Sequence, residues 1–119
     1  MTQVLLVDDY PAVRRFLRDL LDGKKHEFVE AANGLEALET FARCRPDWTI
    51  MDIEMPEMDG LKATRLIVEL DPQAKVIVIS QHNGRAFERA AQEAGALTFI
   101  HKDNLLKISD LITSQPKES

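Results

Sequence analysis

Apolar runs of strand length alternate with stretches of helical spacing from one end of this chain to the other, and few folds tolerate that alternation. Val4 to Val7, Trp48 to Met51, Val76 to Ile79 and Ala96 to His101 read as strands, and a more polar run from Glu27 to Ala31 reads as an edge strand. Val76 to Ile79 is apolar at every position, as expected of a strand covered on both faces. Between the strands, Val13, Phe16, Leu17, Leu20 and Leu21 make one amphipathic stripe, with Pro11 in a first turn where its missing N–H costs little. Leu35, Leu38 and Phe41 mark a helix from about Leu35 to Arg43. Leu61, Thr64, Ile67 and Val68 mark a third, starting at Gly60 or Leu61 and ending before Asp71-Pro72. Phe87, Ala90, Ala91 and Ala94 line a fourth that stops at Gly95, and Leu105, Ile108 and Ile112 a last one. Five βα units with right-handed crossovers build an α/β fold around a parallel sheet.

A chain of 119 residues holds one such domain, with residues 1–114 folded and 115–119 a polar tail or the start of a linker. The 20 acidic against 15 basic residues leave a net charge of −5, which disfavours nucleic acid as a direct ligand of this domain. Cys44 is the single cysteine, so neither an internal disulfide nor a thiolate metal clip is expected. No apolar run approaches membrane-spanning length and the N-terminal residues do not resemble a signal peptide, so the expectation is a cytoplasmic protein without membrane contact.

Four of the strands end on residues able to handle a phosphoryl group: Asp8-Asp9, Asp52, Ser80 and Lys102. In a parallel sheet those ends share one edge, the edge where ligands of such sheets bind. Adjacent carboxylates at Asp8 and Asp9 repel and call for a positive partner; Mg²⁺, which takes one or two carboxylates plus waters and a phosphate, is the simplest. A helix cap before Pro11 is the plainer reading. Asp52, with its side chain exposed at the sheet edge, is a third metal ligand, a nucleophile forming an acyl phosphate, or a turn aspartate. Ser80 is a helix cap or a donor to a phosphoryl oxygen, and Lys102 a solvated charge or a phosphate ligand. Glu54 and Glu57 read as solvated charges, and His26 and His101 show no ligand spacing and carry no assigned role.

The segments V-L-L-V-D-D, M-D-I-E-M-P-E-M-D-G, V-I-V-I-S and G-A-L-T-F-I-H-K, at these intervals, closely resemble the receiver domains of two-component response regulators. The resemblance implies a flavodoxin-like doubly wound (βα)5 sandwich with sheet order 2-1-3-4-5. It implies Asp52 as phosphoacceptor, Asp9 and Asp52 as direct Mg²⁺ ligands, Asp8 acting mainly through water, and the Glu54 backbone carbonyl as a further ligand. It implies Lys102 and Ser80 as phosphoryl ligands, and Phe99, otherwise a core aromatic, as a switch residue that turns as Ser80 moves. The partners it implies are a sensor histidine kinase or phosphotransfer protein, and a phosphorylation-dependent homodimer. The face of the fourth helix, fifth strand and fifth helix would then control an output. Such a domain signals, promoting its own phosphorylation and dephosphorylation, and is not a turnover enzyme.

Three departures from the receiver pattern qualify these expectations. Asp103 stands where many receivers have a proline after a cis bond, which leaves a trans bond or a strained cis one to consider. This Lys-Asp variant resembles receivers that regulate DNA-binding outputs of the LuxR type, hence transcription. Gln81 is longer than the small residue frequent there, and narrows access to Asp52. His82, with Glu54, is placed to tune phosphoryl lifetime, or is an exposed loop residue. Two other functions compete: a small Mg²⁺-dependent aspartyl-phosphate phosphohydrolase, and a receiver-like binding module that is never phosphorylated. Against the first, Glu54 stands where a second aspartate would be needed; against the second, a purely structural module has no use for the acidic set.

Overall fold

The computed structural model describes residues 2–21, 25–82 and 85–114. Its elements are β1 (Thr2–Val7), α1 (Pro11–Leu20), β2 (His26–Ala31), α2 (Gly34–Cys44), β3 (Trp48–Asp52), α3 (Gly60–Leu70), β4 (Val76–Ser80), α4 (Arg85–Glu93), β5 (Thr98–His101), a 3₁₀ turn (Lys102–Asn104) and α5 (Leu106–Ser114). All pairings are parallel and the sheet order is β2-β1-β3-β4-β5, the flavodoxin-like order the resemblance implies. The polar strand β2 lies at an edge, as expected. The proposed tail at 115–119 lies outside the described residues.

Side chains alternate across a strand, so the three central strands feed two cores. Val4, Leu6, Ile50, Ile77 and Ile79 join Leu17 of α1 and Ile108 and Ile112 of α5 on one face. Leu5, Val7, Met51, Val76 and Val78 join Ala37 and Phe41 of α2, Ala63 and Ile67 of α3 and Ala91 of α4 on the other. Phe16, expected within the α1 stripe, is exposed, because adjacent helical residues diverge by about 100° and the buried side of α1 centres on Leu17 and Leu21. Leu35 is exposed for a similar reason, since α2 buries Gly34, Ala37, Thr40 and Phe41 instead. Gly95, with φ of +98°, stops the α4 segment as expected, and Ala96 N–H donates to the Ala91 carbonyl across it at 3.0 Å.

The loop from Ile53 to Asp59 is anchored at both ends. Gly60 N–H donates to the Ile53 carbonyl at 2.8 Å, and Gly34 N–H at the start of α2 donates to the Met58 carbonyl at 3.0 Å. The Asp59 carboxylate caps α3 by accepting from Lys62 N–H at 2.9 Å. A Cβ on Gly60 would sit 1.9 Å from the Asp52 backbone oxygen, so the start of α3 lies directly against the end of β3 and only glycine allows it.

Alanine at Gly60 should therefore destabilise the protein. Helix propensity favours alanine by about 0.5–1 kcal/mol, whereas forcing a methyl group into closed space costs about 1–3 kcal/mol. Urea unfolding of Gly60→Ala should show a lowered midpoint; an unchanged or raised one would mean that the loop gives way without cost.

Candidate functional site

Strands β3 and β4 each run one residue further than the sequence suggests, and that shift decides the surroundings of two site residues. Asp52 pairs with Ile79, and Ser80 with His101, inside the ladder. Asp52 is consequently 3 % exposed and Ser80 fully buried. This corrects the expectation of an exposed Asp52 side chain at the sheet edge: flanking strands and the returning loop at Gly60 enclose it, and a turn aspartate is excluded.

Asp8 and Asp9 follow β1, next to β3 in the sheet. Asp8, fully buried, accepts from Tyr10 N–H at 2.9 Å through Oδ1 and from the Lys102 ammonium at 3.0 Å through Oδ2. Its link to the helix start is thus an Asx-type turn, while Tyr10, the N-cap of α1, makes no side-chain cap. The backbone carbonyl of Asp8 accepts from Arg14, whose guanidinium also pairs with Glu30 at 2.7 Å. Lys102 reaches across from the far end of β5 to Asp52 as well, at 3.2 Å. Carboxylate oxygens of Asp8, Asp9 and Asp52 lie within 4.8 Å of one another.

One ammonium among three close carboxylates leaves the site electrostatically incomplete. Burial, and next the Asp8 charge, push the Asp52 carboxyl up to about 6, although Lys102 pulls the other way. Burial acts to lower the Lys102 pKa, but the hydrogen bond to Asp8 and the charges of Asp52 and Asp8 outweigh it and raise the pKa above its ordinary value. Asp9 Oδ1 is buried without any hydrogen-bond partner. A buried oxygen that has shed its water and gained no donor is what a cation ligand requires, so the donor set fits a hard divalent ion such as Mg²⁺.

A cleft of about 150 Å³ opens over these groups, lined by Asp9, Tyr10, Asp52, Glu54, Gln81 and Lys102. Gln81 stands at the rim of this cleft with Asp52 inside it. His82 and Glu54 face each other at 2.9 Å between the loops after β4 and β3, and the His82 ring stacks on Phe87 at 5.2 Å. Both side chains remain about half exposed, as the plainer readings expect, and they pair with each other across the two loops. Ser80 Oγ accepts from His82 N–H at 3.0 Å, a turn bond within its own loop. Phe99 is partly buried against the cluster that contains Val78 and Ala91, where Phe87 also packs.

His101 shows no ligand spacing in the sequence, yet it joins two site segments. Its Nε2 lies 2.7 Å from the Gln81 carbonyl, and its Nδ1 accepts from Asp103 N–H at 3.1 Å, capping the 3₁₀ turn that carries Lys102. The local signal was the H-K-D order, a side-chain acceptor two residues before a free N–H. The link to Gln81 spans separate strands and had no local signal. Among the described residues no cis peptide occurs, so the Lys102–Asp103 bond is trans, and Asp103 keeps the N–H that a proline would lack.

Residues 4–113 match the family model of the response regulator receiver domain. The chemotaxis protein CheY of Thermotoga maritima is 43% identical over 101 residues, 84% of each chain. A two-component response regulator of the LuxR family from Aurantimonas superposes with a TM-score of 0.88 at 32% identity, over 96% of this chain and 84% of that one. CheY of Borrelia burgdorferi, solved with CheX, BeF3 and magnesium, gives 0.87 at 30% identity over 95% and 87%. Some curated relatives are longer, and the chain spans 29% and 53% of two of them. With the sheet order, the acidic cluster and the strand-end lysine in agreement with that match, the chain belongs to the response regulator receiver family.

Proposed function

We propose that this receiver takes a phosphoryl group onto Asp52 from a phosphohistidine of a sensor kinase or phosphotransfer protein and switches an output surface in response. The observation that carries this reading is the enclosure of Asp52, 3 % exposed, with Asp8, Asp9 and Lys102 gathered around its carboxylate. Asp8, Asp9, Asp52 and the backbone carbonyl of Glu54 are the residues that would hold Mg²⁺. When bound, the ion offsets the negative charge of the carboxylates and of the phosphoryl oxygens.

In the transfer, an Asp52 carboxylate oxygen attacks phosphorus as the P–N bond to the donor imidazole breaks, and the departing ring nitrogen keeps the electron pair, the ring leaving neutral with the proton already on its other nitrogen. Phosphoryl transfer of this kind relies on positioning and charge stabilisation more than on covalent help. Lys102, already 3.2 Å from Asp52, binds a phosphoryl oxygen. Ser80 breaks its bond to His82 N–H and donates to another oxygen, drawing its loop toward β3. Phe99 turns into the vacated space, which changes the face of α4, β5 and α5 that contacts an output or a second copy. Leu106, at the start of α5, and Leu97, in the turn just before β5, are exposed. Gln81, Glu54 and His82, around the cleft mouth, set the access of water and so the phosphoryl lifetime.

A cytoplasmic location, a DNA-binding output of LuxR type, and residues 1–114 as the receiver unit belong to the same reading. Among the described residues no helix is long and apolar enough to cross a membrane.

Incubated with acetyl phosphate and Mg²⁺, the protein should gain one phosphoryl adduct by intact mass. Asp52→Asn should abolish the adduct, Asp9→Asn should slow its formation and weaken Mg²⁺ binding, and Lys102→Ala should still accept phosphate while failing to switch. A wild type without an adduct, or an adduct surviving Asp52→Asn, sinks the assignment.

The raised pKa of Asp52 also has a consequence for stability. A carboxyl at about 6 in the fold against 3.8 unfolded favours the fold when protonated. The favourable contribution is full below the unfolded value and is lost as pH rises through about 6. At two pKa units, the loss at neutral pH is on the order of 3 kcal/mol. Metal-free wild type should therefore be less stable than Asp52→Asn at pH 7, with the gap closing toward pH 4, and Mg²⁺ should stabilise the wild type more than the variant. Parallel stability curves of the two proteins across that window would contradict this.

A further inference from the structure

We propose that His101 is a positioning residue that latches the loop after β4 to the β5 side of the sheet and so opposes the movement bringing Ser80 to the phosphoryl group. The inference rests on the phosphoacceptor reading above and adds to it a residue outside the acidic site. Two hydrogen bonds define the latch. A backbone carbonyl only accepts, so the 2.7 Å contact of His101 Nε2 with the Gln81 oxygen requires a proton on Nε2. A backbone N–H only donates, so the 3.1 Å contact of Asp103 N with Nδ1 requires a lone pair there. The ring is thus the neutral Nε2–H tautomer, with both nitrogens in use. The Asp103 carboxylate also lies 3.4 Å from Nδ1, but that lone pair is already engaged and the carboxylate, 87 % exposed, is free to turn to water.

Strand order supplies the direction. Ser80 pairs with His101 on β5 to one side, while Asp52 lies on β3 to the other side of β4. Gln81 sits between Ser80 and His82, which Ser80 Oγ already ties into one turn. Any shift of that turn toward Asp52 draws the Gln81 carbonyl away from β5 and breaks its bond to the ring. The latch is anchored well, since the Nδ1 bond fixes the ring against the 3₁₀ turn that carries Lys102. On the opposite side His82 contacts Glu54, beyond β3, at 2.9 Å. The loop is therefore tied to β5 by the His101 side chain and toward the loop after β3 by His82, and a movement toward Asp52 breaks the His101 contact.

Two substitutions separate the halves of the ring. Asparagine mimics Nδ1, keeping the acceptor for Asp103 N–H without the reach to Gln81; glutamine mimics Nε2, keeping the donor to Gln81 without the cap. Equilibrium binding of beryllofluoride in the presence of Mg²⁺, a stand-in for the phosphoryl group, reads the position of the loop equilibrium. His101→Asn should bind about five-fold more tightly than wild type, the factor equivalent to one neutral hydrogen bond, and His101→Gln should stay near wild type. NMR of the ring nitrogens in the free protein should report the Nε2–H tautomer, with that proton's signal lost on beryllofluoride binding. Unchanged affinity in His101→Asn, equal shifts in both variants, or the opposite tautomer overturns the latch while the phosphoacceptor role stands. A wild type that binds no beryllofluoride, or binds it equally well as Asp52→Asn, overturns that role together with the latch.

Discussion

The ammonium of Lys102, shared between Asp8 at 3.0 Å and Asp52 at 3.2 Å, is the contact on which the polar edge of this sheet depends. Carboxylates within 4.8 Å of each other repel by about 3 kcal/mol per pair at an effective dielectric of 20, and three of them meet here. A single cation touching two of them lowers that cost without removing it. Burial adds to the strain, as the upward shift of Asp52 expresses. The unfinished balance is what a bound cation would relieve, and the proposed phosphoryl chemistry rests on it.

The geometry that delivers Lys102 is a property of the whole sheet. β5 lies two strands from β3 and three from β1, so the lysine at its end must reach across β4 to meet the aspartates. The 3₁₀ turn beginning at Lys102 stops the strand there, and the His101 cap holds that turn. On the other flank, the close approach of Gly60 to the Asp52 carbonyl brings the loop after β3 back over its own start and closes the space around Asp52. Strand ends fixed in the sheet and one loop, that of Ser80 to His82, tied by a histidine on each side, are the parts on which the proposed two-state device rests.

Much of this is legible in the sequence. Val76 to Ile79 announced a strand buried on both faces, the Asp71-Pro72 break and Gly95 marked helix ends, and the polar β2 took the edge position that its composition suggested. The misses are local. Phe16 satisfies the helical spacing but sits at the margin of a stripe whose centre is set by how α1 rests on the sheet, and periodicity contains no such angle. Asp52 and Ser80 fall inside their strands because neighbouring strands pair with them, and a run of apolar letters ends one residue too soon to reveal it.

The sequence by itself determined the alternation of strand and helix, the residue types at each strand end and, through their spacing, the family. It did so because periodicity and turn residues are local properties, written within a few positions of where they act. Only the tertiary structure decided that Asp52 is enclosed, that the oxygen of Asp9 lacks a donor, and that His101 reaches the carbonyl of Gln81. Each of these depends on distances between segments far apart in the chain, and such distances exist only once the five strands lie side by side.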